Sequence, residues 1–196
     1  MKAILTIILC SILFSASAIG VNVPIAANGA GEIYNANVQQ IAGPGDTITI
    51  TSTNFRILYL RNVWGTAENP IIIRFANPTV IGQSNGGTRN YVMWIGGYHW
   101  KAYGENKVTL KPRDTDTAQS GFTFGESHNF EINGFRVERC KAAFAGNPTT
   151  GGLRQNLIFR NLYARKLITS LTGTSEFIYL GSTALGSLGA AWYNNC

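Results

Sequence analysis

The sequence predicts an all-β protein that coils as a solenoid, with equivalent strands of successive turns stacked in parallel. Three observations predict it. Four segments share one pattern: "LYLRNVWG" from Leu58, "MWIGGYHW" from Met93, "FEINGFRV" from Phe130 and "LIFRNLYA" from Leu157. Each reads apolar, any, apolar, then Arg-Asn, Gly-Gly or Asn-Gly, then apolar, and the unequal intervals between the four starts suit a coil with loops of different length inserted. A shorter pattern, apolar, any, apolar, Gly, any, Ser/Thr, occurs as "FTFGES" at Phe122 and again as "IYLGST" at Ile178. Finally, the strand-like pieces are short and of period two, and no apolar stripe of period 3.6 persists beyond the amino-terminal segment.

Taken in order, residues 1–18 join a charged start, the apolar run "ILTIILCSILF" and the small-residue exit "SASA", which reads as a secretory signal cleaved after Ala18. The run is about half of the roughly 20 apolar residues that a bilayer span needs, so no membrane span is expected. Export places the protein in a secreted, periplasmic or cell-surface setting. Residues 19–42 read as a lead-in or cap, and residues 43–196 as one domain of solenoid turns. Within it, "GDTITI", "NPIIIRF" and "NKVTLKP" are strands bounded by turn residues. Asn133-Gly134 could close a hairpin, but its counterparts in the other copies favour a bend within a repeated unit. The 22 glycines suit a chain that turns sharply several times per unit. A propeller would need about four antiparallel strands per blade, more than the two or three found here. In a coil, strands about 4.8 Å apart stack their inward apolar residues into columns. Aligning the copies puts Phe135 over Leu162 and Val137 over Ala164, with Tyr98 and Trp100 in the same columns.

On "GPGDTITI" (43–50), "GTAENPIIIRF" (65–75), the four copies and "SEFIYLGST" (175–183), the chain resembles the amino-terminal part of a right-handed parallel β-helix of the pectate-lyase-like superfamily. The resemblance covers residues 43–183 and implies a fold more than an activity. It implies a polysaccharide as partner, with polysaccharide lyase, glycoside hydrolase or non-catalytic adhesin and scaffold roles all open. Lyases of this kind use an Arg or Lys to take a proton beside a uronate carboxylate, often with Ca²⁺. Nothing after the last strand resembles a cap, so the chain is expected to be a fragment of a longer coil, with self-association through the open end as an alternative.

The formal charge of +6 falls by one with Lys2 removed, a balance that suits an anionic glycan. No run of five or six like charges marks a nucleic-acid-binding tail. Basic residues crowd two successive units: Arg136, Arg139, Lys141, Arg160, Arg165 and Lys166. The aligned copies put Glu138 between Lys101 and Arg165, a ladder of alternating sign. Arg139 over Lys166 is then a like-charge pair, and Arg139, Lys166 and Glu138 are the catalytic candidates. Arg136, Arg165 and Trp64 are the substrate-binding candidates. Asp114 and Asp116 offer two oxygen ligands for Ca²⁺, fewer than a cage requires, and the stretch also reads as a polar turn. Glu126 with Glu131 or Glu138 would supply paired carboxylates if neighbouring strands brought them together. His99 and His128 fall in different columns. There is no zinc spacing, phosphate loop or dinucleotide fingerprint. Cys10 leaves with the signal, and Cys140 reads as a buried thiol more than as a disulfide with Cys196.

Overall fold

The computed structural model describes residues 20–82, 91–112, 120–146, 152–167, 176–180 and 191–194. Segment 1–18, Asp114, Asp116 and Cys196 lie outside the described residues. The protein is a parallel β-solenoid, and every described strand pairing is parallel. The hairpin alternative therefore falls. Among the described residues, apart from one 3-10 turn, Val38–Gln40, the regular structure is strand.

The chain winds past three faces in turn. The first stacks Glu32–Asn37, Ile57–Trp64, the start of Tyr91–Leu110, Ser120–Thr123, Ala142–Gly146 and Glu176–Leu180. The second stacks Asn22–Ile25, Thr47–Ile50, Ile71–Phe75, residues 100–103, residues 128–133 and Leu157–Arg160. The third stacks Asn54–Phe55, Thr79–Ile81, residues 108–110, residues 135–138 and Tyr163–Arg165. Register on the second face runs Asn22, Thr47, Ile72, Lys101, Glu131 and Ile158, so that successive rungs differ in length. Strand pairing thus reaches into the segment expected to be a lead-in.

Alternation sorts each strand into an inward and an outward row. Inward columns such as Leu58, Met93, Phe122 and Phe144 on the first face, and Ile81, Leu110 and Val137 on the third, are fully buried. Aromatic rings fill the middle of the coil. Trp100 stacks on Phe130 with centroids 4.6 Å apart, and Phe135 meets Phe122 at 5.3 Å and Phe75 at 5.9 Å, both edge-on. Because these rings come from all three faces, one continuous core holds the faces together.

Bends between faces need positive φ. Asn62, His99, Asn106, Asn129, Asn156, Asn161, Arg139 and Lys166 all adopt it, at 50° to 62°. Asparagine tolerates the left-handed region because its short amide bonds locally. Here the amides also bond from one rung to the next: Asn62 to Asn37 at 3.0 Å, Asn156 to Asn129 at 2.7 Å, and Asn161 to Asn133 at 3.0 Å. Gly97 is more demanding, since at φ +147° a Cβ would lie 2.1 Å from the Val63 carbonyl oxygen. Such bends let Tyr91–Leu110 continue as a single strand past all three faces.

Two expected columns are corrected. Leu58 does pair with Met93, and Phe130 with Leu157, but Met93 continues to Phe122 and Phe130 sits beside Trp100. The four copies therefore belong to two faces, and the interval from Met93 to Phe130 is not a rung. Phe135 and Val137 stack on Val108 and Leu110, not on the column of Tyr98 and Trp100. Val137 over Ala164 holds, and Phe122 and Ile178 do share a column, with Phe144 between them. The error arose because one face-to-face bend resembles another, each being a Gly or Asn between apolar residues.

Candidate functional site

On the second face the outward row reads Ile72, Lys101, Glu131 and Ile158, with Arg74, Tyr103, Asn133 and Arg160 beside it. Strand alternation places these side chains outside because Trp100, Ala102 and Ile132 between them are fully buried. A hollow of about 220 Å³ opens here, lined by Thr66, Pro70, His99, Lys101, Asn129 and Glu131, among others. Tyr98 and His128, which precede the lining residues His99 and Asn129 in sequence, stack with Trp64 in one column. Ring centroids are 5.8 Å and 5.4 Å apart, with planes inclined by 11° and 16°. Trp64 is 37% exposed, which leaves part of the indole open.

The charges are unevenly matched. Glu131 Oε1 accepts from Asn133 Nδ2 at 3.2 Å and lies 3.5 Å from Arg160 Nε. Lys101 is the neighbour of Glu131 across the rung, yet it forms no ion pair among the described residues. Arg74 lies over the Tyr103 ring, 5.7 Å from its centroid. Burial, and after it the negative charge of Glu131, raises the Tyr103 pKa against the opposing pull of Arg74 and Arg160. Tyr103 therefore keeps its proton near neutrality. Asn129 spans the two histidines, with Nδ2 at 2.9 Å from His128 Nδ1 and 3.5 Å from His99 Nε2. Its Oδ1 accepts from Asn156.

The third face carries a second hollow of about 340 Å³, lined by Asn106, Arg136, Glu138, Tyr163 and Arg165. Three of the residues singled out in the sequence meet here: Arg136, Glu138 and Arg165. Glu138 Oε1 accepts from Arg165 Nε at 2.7 Å and lies 2.6 Å from Nη2. The expected pairing of Glu138 with Arg165 is present. Its expected pairing with Lys101 is not, because Lys101 stands on the second face beside Glu131. Arg139 and Lys166 do stack, at the bend between the third and first faces, where the Arg139 amide donates to the Arg165 carbonyl at 3.3 Å. Trp64 ends the first-face strand Ile57–Trp64, where it stacks on Tyr98, and does not line the third-face hollow. Glu131 and Glu138 project from different faces, and each is engaged by an arginine.

Lys101 and Arg74 are not among the site residues the sequence suggests, and Tyr103 is suggested only as a ring that could stack on a sugar. The signal that could have found them is the alternation in "WKAY" and "IIIRF", which puts them on one outward face once the rung from Ile72 to Lys101 is known. Among the described residues no three His, Cys, Asp or Glu side chains gather as metal ligands would. No described helix is long and apolar enough to cross a membrane.

No protein-family model matches the chain, and no curated protein matches it in sequence. Among solved structures it is similar to an alginate lyase from Paenibacillus sp. str. FPU-7, at 17% identity and a TM-score of 0.46. The likeness covers 71% of this chain and 43% of that one, so the chain spans less than half of that enzyme. At this level the likeness carries nothing about chemistry.

Proposed function

We propose that the second face binds an acidic glycan and that the protein acts on it as a polysaccharide lyase of the pectate-lyase-like kind. One observation carries the reading: Lys101, which has no ion pair among the described residues, shares the lining of a hollow with Asn129, whose amide meets His128, the last ring of the stack Trp64, Tyr98 and His128. Stacked rings offer flat apolar area to sugar rings, and an unmatched ammonium beside them attracts a uronate carboxylate.

The outward groups of the second face suit β-elimination. When the carbon beside a uronate carboxylate loses its proton, negative charge grows on that carboxylate, where Lys101 and Arg74 stabilise it. His99 lines the hollow and is the base assigned to take that proton. The electron pair left on carbon forms the new double bond as the glycosidic carbon–oxygen bond breaks, and protonated Tyr103 is a donor for the departing oxygen. Fixed groups of this kind, aimed at developing charge, need no rearrangement during the reaction.

The test is incubation of the full chain with polygalacturonate, alginate and a neutral glycan, following unsaturated product by ultraviolet absorbance. Turnover on a uronate polymer is expected, and its loss in Lys101→Ala with the fold intact. A second reading, a non-catalytic adhesin or scaffold, is favoured by the ion pairs that tie Glu131 to Arg160 and Glu138 to Arg165. Binding of uronate polymers without any unsaturated product would establish that reading in place of the first.

A further inference from the structure

We propose that the third-face hollow is a second saccharide site, separate from the second face, which takes the carboxylate of a uronic-acid residue. It stands on its own geometry and does not require the second face to bind or cleave anything.

The lining of this hollow holds more donors than acceptors. Arg136, Arg165, Asn106 and Tyr163 line the hollow and each carries N–H or O–H donors, and Glu138 is the one carboxylate among the described lining residues. That carboxylate is already committed: Oε1 takes both Arg165 Nε and Arg165 Nη2, at 2.7 Å and 2.6 Å. Arg136 is exposed and has no ion pair among the described residues. Nearby Lys107 is matched by Glu105 at 2.7 Å. The lining is therefore left with one surplus positive charge and a surplus of donors, which selects an anion rich in acceptors.

The hollow is also partly preorganised. The Glu138 side chain is only 11% exposed, and its strand pairs directly with that of Arg165, so the guanidinium is held in one orientation. Arg136 pairs with Tyr163 across the same two strands, one alternation away. Arg136 thus offers an unoccupied planar fork, which matches the bidentate geometry of a carboxylate ligand, on the rung next to an arginine whose Nε edge Glu138 already holds.

Size decides between a bare anion and a saccharide. The 340 Å³ of the hollow is many times the roughly 30 Å³ that one water occupies in the liquid. It sits at the lower end of the roughly 300–1,000 Å³ typical of small-molecule sites. A bare oxyanion would leave most of it to water. The Tyr163 ring, 52% exposed, supplies an apolar wall against which the C–H face of a sugar can lie.

The experiment is calorimetric titration of the full chain with trigalacturonate, and in parallel with its methyl ester and with inorganic sulfate at matched ionic strength. Two classes of sites are expected in the wild type. Arg136→Ala should remove the third-face class, with affinity there falling tenfold or more, while Lys101→Ala removes the other. Arg136→Lys, which keeps the charge and loses the fork, should weaken the third-face class without restoring wild-type affinity. One class, lost in Arg136→Ala and kept in Lys101→Ala, would sustain the third-face site and overturn the second-face reading. Unchanged stoichiometry and affinity in Arg136→Ala would overturn the third-face site. Equal binding of the methyl ester, or sulfate binding as tight as trigalacturonate, would overturn its assignment to a uronate.

Discussion

Phe135→Ala tests the stacked interior at its centre. Phe135 comes from the third face, is fully buried, and meets Phe122 of the first face and Phe75 of the second. Truncation removes the ring from water-free surroundings and leaves a cavity that stiff neighbouring strands cannot close, a change that costs about 3–5 kcal/mol in other cores. Each aromatic pair adds about 0.5–1.5 kcal/mol beyond burial, and two are lost, which places the expected loss in the upper part of that range. Against a whole-domain stability of about 5–15 kcal/mol, the variant should fold marginally. The assay is urea unfolding followed by tryptophan fluorescence, for which Trp100, stacked on Phe122 and Phe130, is a reporter inside the core. Tyr163→Ala, at an outward position of the same face, is the control, with an expected change within about 0.5 kcal/mol. Phe135→Asp should not fold at all, because an unpaired carboxylate would enter the core. A loss below about 1 kcal/mol for Phe135→Ala, or one equal to that of Tyr163→Ala, would refute the three-faced core.

Other outcomes follow from single contacts. Gly97→Ala should lower the urea midpoint, because its Cβ would meet the Val63 carbonyl oxygen at 2.1 Å and φ there is +147°; an unchanged midpoint would mean the bend is looser than described. Trp64→Ala should weaken uronate binding on the second face without changing thermal stability, since the indole stacks on Tyr98 at the surface; equal affinity in calorimetry would remove the stacked column from the site. Burial pushes the Cys140 thiol up to about 12, so the native protein should resist alkylation at mildly alkaline pH and react on unfolding. The unfolded chain releases that proton at lower pH than the native one does. Stability should therefore fall as pH rises through the ordinary thiol range toward about 12, and Cys140→Ala should flatten that slope. Equal slopes in the two proteins would contradict the buried, protonated thiol.

The interior was far more legible than the exterior. A period-two pattern needs only local sequence, and it marked Leu58, Met93, Phe130 and Leu157 as inward starts of strands, all of them buried. It also placed Trp100 inside and left Trp64 outside, as found. The bends were marked by Gly and Asn for a reason the backbone shares everywhere: those residues tolerate positive φ. That generality is also why one bend passed for another. "MWIGGYHW" turns between the first and second faces, whereas "FEINGFRV" turns between the second and third, and local sequence does not distinguish them.

The consequences of that slip fall entirely on the outward residues. A shift of register by one face leaves apolar side chains inside, because every face alternates, and so the predicted core survives it. Charges do not survive it. Placing Glu138 between Lys101 and Arg165 cancels Lys101 and makes the basic residues look like a neutral ladder. The actual rungs give Glu138 to Arg165 and Glu131 to Arg160, on two different faces, and they leave Lys101 on one face and Arg136 on another without an ion pair among the described residues. In a solenoid the rung length, set by how many residues each bend and loop inserts, decides which charges meet. The proposed chemistry of both hollows is therefore written in those insertions, and a variant that lengthened the bend at residues 104–107 by a residue would be expected to disturb the third-face hollow below it while leaving Lys101 and its stacked rings in place.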